Sequence, residues 1–129
     1  MSKPIWIEAE LVLAIHDRQL VEHGGAAGLR DEALLQSALD RPKNHFAYAD
    51  VVELAANYTA GIVQNHPFVD GNKRTGFVVG ILFLELNGYR FTASEEAAAQ
   101  AILELAAGTM DEKAFCAFLR ANSKRTKAQ

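Results

Sequence analysis

Apolar residues recur along most of the chain at the three- and four-residue spacing of amphipathic helices, and almost no stretch alternates as strands do. Glycines, a proline and capping residues divide this pattern into six segments. Helices are therefore predicted at about residues 7–23, 31–40, 50–66, 72–86, 92–108 and from 109 onward. The sequence predicts an all-α fold, a single-domain bundle of about six helices.

Individual residues set the predicted helix boundaries. Gly24 and Gly25 end the first helix, and Asp31 caps the second. The second helix is expected to end at Asp40, because the residue before Pro42 is disfavoured in helical geometry. Three residue pairs have the spacing of a capping box, which starts a helix: Asp50 with Glu53, Thr92 with Glu95, and Thr109 with Glu112.

The predicted fourth helix, residues 72–86, is apolar on nearly every side, which suits a buried helix at the centre of the bundle. Residues 42–49 are expected to form a connector, and Tyr89 to Phe91 a short extended piece. Residues 1–122 are predicted to form the domain. A frayed, polar and basic tail is expected at 123–129.

The composition suits one soluble globular domain, with 129 residues, 50% of them apolar and 22% charged. Cys116 is the only cysteine, so it forms no internal disulfide, and a reducing compartment is expected. The first residues show no secretory signal, and the longest uncharged apolar run, residues 77–84, is too short to cross a membrane. A cytoplasmic protein without membrane contact is therefore predicted.

The net charge argues against direct binding of nucleic acid. Thirteen Lys and Arg stand against sixteen Asp and Glu, which gives a net charge of −3. Three of the thirteen cations lie in the last six residues (Lys124, Arg125 and Lys127), so the rest of the chain is more acidic still. Such a surface repels a phosphate backbone.

Residues 66–74 concentrate the groups that could carry chemistry. The segment reads His-Pro-Phe-Val-Asp-Gly-Asn-Lys-Arg and joins the predicted third helix to the fourth. At the start of a helix, free backbone N–H groups and the helix dipole attract anions. Lys73 and Arg74 are unfavourable at that position unless an anion binds among them, so a phosphate group is the expected guest.

Three further residues of this segment fit the same chemistry. Asp70 could hold Mg²⁺, which pairs a carboxylate with substrate phosphates. Gly71 removes a side chain where a phosphate would approach the turn. His66 could accept a proton from a hydroxyl nucleophile near neutral pH.

The segment resembles the signature of the Fic/Doc superfamily, His-x-Phe-x-Asp/Asn-Gly-Asn-x-Arg, which lies on a loop leading into a buried helix. The match is complete at His66, Phe68, Asp70, Gly71, Asn72 and Arg74. Similarity to the death-on-curing (Doc) branch extends over nearly the whole chain, at Ile15-His16, Gly24-Gly25, Gly28 to Asp31, Ser37 to Leu39 and Asn87-Gly88. The resemblance implies the helical Fic/Doc fold.

Two positions resemble the Doc branch rather than the AMP-transferring enzymes. Lys73 stands where those enzymes usually have glycine, and Phe77 where they usually have a second arginine. The resemblance implies a toxin with protein serine/threonine kinase activity, which passes the γ-phosphate of ATP to a threonine of translation elongation factor Tu and arrests translation. It also implies a cognate antitoxin as partner.

The resemblance also implies a role for each motif residue. His66 would be the general base, Asp70 would hold Mg²⁺ and orient His66, and Phe68 would anchor the loop in the core. Lys73 would belong to the catalytic set, and the phosphates would be bound by Gly71, by the backbone and side chain of Asn72, and by Lys73 and Arg74. The connector 42–49 falls where the family has its target-docking flap, and an extended target segment could pair with it.

Two other functions stay open on the sequence: a Fic-type transferase that moves AMP or another nucleotidyl group to a protein hydroxyl, and an inactive helical binding module. Outside the motif, structural or surface roles are expected for the three remaining histidines, His16, His23 and His45. Cys116 is expected to be a small buried residue, and Arg30 and Asp31 to tie the glycine loop to a helix end.

Overall fold

The computed structural model describes residues 3–126, and these form six α-helices, a short 3-10 turn and two short strands. The helices are α1 (Ala9–His23), α2 (Glu32–His45), α3 (Val51–Asn65), α4 (Asn72–Leu86), α5 (Glu95–Ala107) and α6 (Glu112–Ala121). The 3-10 turn is Phe46–Tyr48, and the strands are β1 (Tyr89–Phe91) and β2 (Ser123–Arg125). The predicted all-α bundle of six helices is confirmed. No helix within residues 3–126 is long and apolar enough to cross a membrane.

The helix at the centre of the bundle is α3 rather than the predicted fourth helix. Eleven of the fifteen residues of α3 are buried, against seven of fifteen in α4. Small residues such as Ala55, Ala60 and Gly61 let α2, α4, α5 and α6 all pack against α3. Helix α4 has apolar residues on nearly every side, but several of them, such as Phe77, Ile81 and Leu82, are only partly buried. The apolar pattern alone therefore predicted the wrong central helix.

The crossing of α3 and α4 is unusually close. A Cβ atom at Gly80 would lie 2.1 Å from Thr59 Oγ1 and 3.0 Å from the carbonyl oxygen of Ala55. The Thr59 hydroxyl donates a hydrogen bond to the carbonyl oxygen of Gly76, at 2.8 Å, and so ties the two helices together. This crossing fixes the relative position of the C-terminus of α3 and the N-terminus of α4, between which the motif loop lies.

Two of the predicted helix starts are confirmed and two are wrong. The Asp50 and Glu53 capping box is complete, and the Asp31 carboxylate accepts from the N–H of Leu34. The caps of α5 and α6 are instead Ser94 and Asp111, each two residues beyond the predicted threonine. Thr92 bonds instead to the carbonyl oxygen of Asn122, and Thr109 to that of Glu104, five residues earlier near the end of α5.

Helix α2 does not end at Asp40 but continues through Pro42 to His45. Pro42 is buried in the core, and Arg41 forms an ion pair with Glu112 of α6. These tertiary contacts outweigh the local preference against helix before proline. The predicted connector is therefore mostly helical.

The predicted frayed tail is ordered at its beginning. β2 pairs with β1 in antiparallel register, with Phe91 opposite Ser123 and Tyr89 opposite Arg125. The Arg125 guanidinium lies over the Tyr89 ring, 5.5 Å from its centre. Backbone pairing thus holds residues 123–125 on the domain despite their polar sequence, while 127–129 lie outside the described residues.

Candidate active site

The motif loop begins and ends with residues in the left-handed region of backbone conformation. His66 ends α3 with φ 53° and ψ 54°, and Gly71 precedes α4 with φ 80°. The His66 N–H still donates to the carbonyl oxygen of Ile62, at 3.0 Å, so the last turn of α3 is complete. A Cβ at Gly71 would meet His16 at an ordinary 3.5 Å, so backbone conformation rather than lack of space requires glycine there.

Phe68 of the motif loop lies in the core, with none of its surface exposed. The Asn72 side chain closes the loop around it. Its Oδ1 accepts from the N–H of Phe68 and its Nδ2 donates to the carbonyl oxygen of Phe68, both at 2.9 Å. The expectation that the Asn72 side chain binds phosphate is therefore wrong, because this buried amide is committed to the backbone. Only the backbone N–H of Asn72 remains for an anion.

The segment between α1 and α2, residues 24–31, supports the motif loop from one side. Leu29 and Phe68 form an antiparallel bridge, and the N–H of Val69 donates to the carbonyl oxygen of Gly28 at 3.0 Å. The Arg30 guanidinium donates to the carbonyl oxygens of Asn65 and His66 and so caps the end of α3. The predicted structural role of Arg30 and Asp31 is confirmed.

His16 supports the loop from beneath. Its side chain is buried, with 3% exposed, and its ring stacks on that of Phe68 with centroids 3.8 Å apart and planes 8° apart. His16 Nε2 lies 2.8 Å from the carbonyl oxygen of Asp70. Since a carbonyl oxygen only accepts, Nε2 carries the hydrogen.

Two backbone N–H groups hold the Asp70 carboxylate. Ala26 donates to Oδ2 at 3.2 Å and Gly71 to Oδ1 at 2.9 Å. These bonds, first that of Ala26 and then that of Gly71, lower the pKa of Asp70, and the charge of nearby Arg74 adds to the effect. The carboxylate is therefore ionised throughout the neutral range. A Cβ at Gly25 would lie 2.9 Å from Oδ2, so the loop needs a glycine there as well.

His66, Asp70, Lys73 and Arg74 line one cleft of about 710 Å³, as do Gly71 and Asn72. The opposite wall comes from α5 and consists of small and apolar residues: Ala99, Ile102, Leu103 and Ala106. Lys73 and Arg74 are exposed, and neither has an ion-pair partner within residues 3–126. The cleft thus places an imidazole beside two uncompensated cations and one carboxylate.

The first turn of α4 offers unpaired hydrogen-bond donors to this cleft. Thr75 is the first residue of α4 whose N–H donates within the helix, to the carbonyl oxygen of Gly71 at 3.0 Å. The N–H groups of Asn72, Lys73 and Arg74 precede it and have no intrahelical acceptor. Together with two cations, they form an arrangement suited to phosphate.

Asp70 is suited to a metal ion that is bound jointly by one carboxylate of the protein and by the phosphates of a ligand. Within residues 3–126, no three His, Cys, Asp or Glu side chains are grouped so that they could hold a metal by themselves. Mg²⁺ commonly uses one or two carboxylates, with substrate phosphates and water completing its shell. One exposed, ionised carboxylate beside phosphate-binding groups meets that requirement.

The target-docking flap expected at residues 42–49 does not lie beside the cleft. That segment ends α2 and forms the 3-10 turn, and Phe46 packs against Trp6. The segment that adjoins the motif loop is the one between α1 and α2, where residues 24–30 are all exposed. A loop of small residues carries no periodic signal, so its position beside Asp70 emerges only with the fold.

Sequence reasoning treated two features of the site as merely structural or missed them. His16 was expected to have a structural or surface role, with no statement that it would contact the motif loop, and the wall supplied by α5 was not predicted. The signal for His16 was its spacing of four from Val12, since these are the two buried residues of α1 and share one face. For α5, the signal was the exposed small residues of an alanine-rich helix, which leave space beside them.

Comparison with known proteins agrees with this geometry. The family model described as Fic/DOC family matches residues 6–84. A protein named Protein kinase doc, from Escherichia phage P1, is 33% identical over 95 residues, which are 71% of this chain and 75% of that protein. One named Toxin Doc, from Mycolicibacterium smegmatis, is 35% identical over 77 residues, 57% of this chain and 59% of that protein.

A solved structure also shares the fold. The N-terminal Fic domain of a VirB-translocated Bep effector protein from Bartonella quintana, with bound ADP, superposes with a TM-score of 0.50 and 18% identity. The match covers 81% of this chain but only 54% of that one. At this identity the likeness concerns the helical architecture alone.

Proposed function

Because the chain belongs to the Fic/DOC family, we propose that it is a Doc-type toxin, a protein kinase that transfers the γ-phosphate of ATP to a threonine hydroxyl of elongation factor Tu. One observation carries the proposal: His66 shares a cleft with Lys73, Arg74 and the open first turn of α4. A base beside an anion site is the minimum that phosphoryl transfer to a hydroxyl needs.

In the proposed reaction, the threonine oxygen attacks the γ-phosphorus and the bond from that phosphorus to the β,γ-bridging oxygen breaks. The hydroxyl proton passes to the unprotonated ring nitrogen of His66, and ADP leaves with the bridging oxygen. His66 is exposed at the end of α3, so a target hydroxyl can reach its ring. The Arg30 guanidinium, bound to the carbonyl oxygen of His66, fixes the backbone from which that ring projects.

The phosphates would be bound at the start of α4. Lys73 and Arg74 would supply charge, and the N–H groups of residues 72–74, directed along the helix axis, would supply hydrogen bonds. Asp70 would hold Mg²⁺, and that ion, when bound, supplies charge neutralisation for the phosphate oxygens. Transfer of this kind depends chiefly on positioning and charge, which is what these residues provide.

The side chain at position 73 favours phosphoryl over nucleotidyl transfer. Lys73 is exposed and lines the cleft at the second position of α4. The Lys73 side chain fills space beside the free N–H groups of α4. A glycine at this position would leave that space open to a second phosphate. This supports a bound nucleotide that presents its γ-phosphate to His66, and it makes AMP transfer the alternative that the experiment must exclude.

The proposal includes an antitoxin, and a second groove next to the cleft is where we place it. This groove of about 390 Å³ shares Arg74, Ala99 and Ile102 with the cleft and is lined further by Phe77 and Phe91. An apolar segment of the antitoxin seated there would lie against Arg74 and restrict access to the cleft. The proposed function also implies a location: because elongation factor Tu and ATP are both found in the cytoplasm, the protein would act there.

The deciding experiment uses two labels. Purified protein is incubated with elongation factor Tu, Mg²⁺ and ATP labelled at either the α- or the γ-phosphate. We expect only the γ-label in the target, on a threonine identified by mass spectrometry. If the α-label enters the target, the reaction is nucleotidyl transfer and not phosphorylation. If neither label enters, the protein is not an enzyme that acts on this target.

A variant of His66 separates an enzyme from an inactive binding module. His66→Asn removes the base but suits the left-handed backbone, because asparagine tolerates that region well. We expect transfer to fall by about 10²- to 10⁴-fold and growth arrest by the expressed protein to disappear. His45→Asn, which changes an exposed histidine of α2 outside the cleft, serves as the matched control. Growth arrest unchanged in His66→Asn would support the binding module instead.

A further inference from the structure

His16 contacts three residues of the motif at once, although it lies on a different helix. Its ring stacks on Phe68, its Nε2–H donates to the carbonyl oxygen of Asp70, and its Cδ2 and Nε2 lie 3.5 Å from the place that a Cβ of Gly71 would occupy. No other hydrogen bond within residues 3–126 reaches that carbonyl oxygen. The orientation of the peptide group between Asp70 and Gly71 therefore depends on His16.

The direction of this carbonyl group decides where α4 begins. In an uninterrupted α-helix, the N–H of Arg74 would donate to the carbonyl oxygen of Asp70, four residues earlier. Here that oxygen is bound to His16, Gly71 adopts φ 80°, and the first helical bond is that of Thr75 to Gly71. The Arg74 N–H is left unpaired at the cleft as a result.

The same peptide group also sets the Asp70 carboxylate. Gly71 N–H, which belongs to this peptide, donates to Oδ1, while Ala26 N–H donates to Oδ2. Rotation of the peptide would break the first bond and shift the carboxylate relative to Ala26. One hydrogen bond from His16 thus controls both an anion-binding N–H and the direction of a carboxylate in the cleft.

We infer that His16 is a positioning residue: its Nε2–H holds the Asp70 carbonyl group away from α4 and so keeps the first turn of that helix open for phosphate. The inference rests on the proposed function for its catalytic consequence. His16 touches no reacting atom and acts through Asp70, Gly71 and Arg74. Its stacking on Phe68 fixes the ring so that the N–H points at one oxygen.

Three substitutions test this inference. His16→Leu and His16→Phe remove the donor but keep an apolar side chain against Phe68, and the phenylalanine also keeps a ring. His16→Gln restores an N–H donor at a similar reach. We expect kcat/KM for ATP to fall about 10- to 100-fold in the first two variants, as displacement of a site group costs, and to stay within about threefold of the wild type in His16→Gln. Thermal unfolding of each variant shows the share of any loss that is due to stability.

A second measurement does not depend on activity. Amide hydrogen exchange, followed by NMR without nucleotide, should show the Arg74 N–H exchanging more slowly in His16→Leu and His16→Phe, because it can then pair with the Asp70 carbonyl. It should exchange at the wild-type rate in His16→Gln. If the wild type transfers neither label, the proposed function fails, while this measurement still decides the inference about His16.

Several results would overturn the inference. Equal loss of kcat/KM in all three variants, in step with their unfolding temperatures, would show that His16 only stabilises the fold. Unchanged exchange at Arg74 in the two variants without a donor would show that the peptide does not depend on His16. If His16→Leu and His16→Phe both fail to fold while His16→Gln folds, the hydrogen bond of His16 serves the stability of the fold and not the position of the peptide group.

Discussion

At the scale of single residues, the fold leaves two cations of the motif loop without ion-pair partners among the described residues and holds two of its other polar side chains by backbone hydrogen bonds. Lys73 and Arg74 are exposed and unpaired within residues 3–126, whereas Asn72 and Asp70 bond to backbone groups. The sequence predicted which residues would gather at the loop. It could not predict that both polar atoms of the Asn72 amide would form hydrogen bonds with the backbone of Phe68. The direction in which a polar side chain points depends on the folded loop and is not encoded in its residue type.

Lys73 offers a prediction at this scale. Lys73→Ala should reduce phosphoryl transfer by at least about 100-fold, as loss of a single charge-stabilising donor does. It should change the free energy of unfolding by less than about 0.5 kcal/mol, because the side chain is exposed and a cation is unfavourable at that helix position. Initial rates and chemical denaturation measure the two effects.

Lys113 provides the matched control for that change. It occupies the second position of α6, as Lys73 does of α4, and it lies outside the cleft that contains His66. Lys113→Ala should leave both the transfer rate and the stability as they are. A large loss of stability with retained activity in Lys73→Ala would mean that the loop has been misinterpreted.

At the scale of the elements, local signals predicted helix α4 and the start of α3 well, because their caps and stops act on adjacent residues. They failed where distant contacts compete. Pro42 stays within α2 because it is buried and Arg41 bonds to α6. Likewise, the hydroxyl of Thr92 bonds to the carbonyl oxygen of Asn122, 30 residues away, and α5 starts at the next cap, Ser94.

The close crossing of α3 and α4 gives a prediction about stability. Gly80→Ala should lower the free energy of unfolding by about 1–3 kcal/mol, because the new methyl group would collide with Thr59 Oγ1. In a Thr59→Ala background the same change should cost less, since the colliding oxygen is gone. Denaturant titration of the four proteins gives the coupling. If Gly80→Ala lowers the free energy of unfolding equally in both backgrounds, the new methyl group does not clash with Thr59 Oγ1, and α3 and α4 have moved apart to admit it.

The cap of α3 gives a prediction about pH. Burial raises the pKa of Asp50, but hydrogen bonds from Arg120 and from the Glu53 N–H outweigh this and the pKa is lowered overall. The stability that its ionised form contributes is therefore fully present above the unfolded value of about 3.8 and is lost as the pH falls through the folded value. Asp50→Asn should be less stable than the wild type at pH 7 by roughly 0.2–1 kcal/mol.

That difference should shrink as the pH falls below about 4, where the wild-type carboxyl becomes protonated as well. Thermal unfolding of both proteins between pH 7 and pH 3 measures it. A difference that stays constant over this range would mean that the charge of Asp50 does not contribute.

At the scale of the whole molecule, six helices and their order followed from the sequence, but the centre of the bundle did not. The pattern of apolar residues predicted α4 as the central helix. In the structure α3 is central, because its small residues let neighbouring helices pack against it on several sides. The placement of α1 and α5 around the motif loop also needed the fold. The two supports of the cleft that were missed, His16 and the wall of α5, come from these two helices.

The pairing of β2 with β1 gives the prediction for the whole chain. A chain ending at Asn122 should unfold at a lower temperature than one ending at Thr126, because it loses the strand pairs and the contact of Arg125 with Tyr89. Differential scanning calorimetry of the two shortened proteins measures the effect. Equal midpoints would restore the view that residues 123–126 are frayed.

That pairing also decides how the protein can be handled in the laboratory. β1 follows closely on the end of α4 that is remote from the motif loop, and fifteen residues of helix separate the two ends by about 21 Å. Because β2 runs antiparallel to β1, Thr126 lies beside Gly88, near that remote end. An affinity tag, a fluorophore or a sensor surface attached after Thr126 should therefore lie away from the cleft and leave its entrance free.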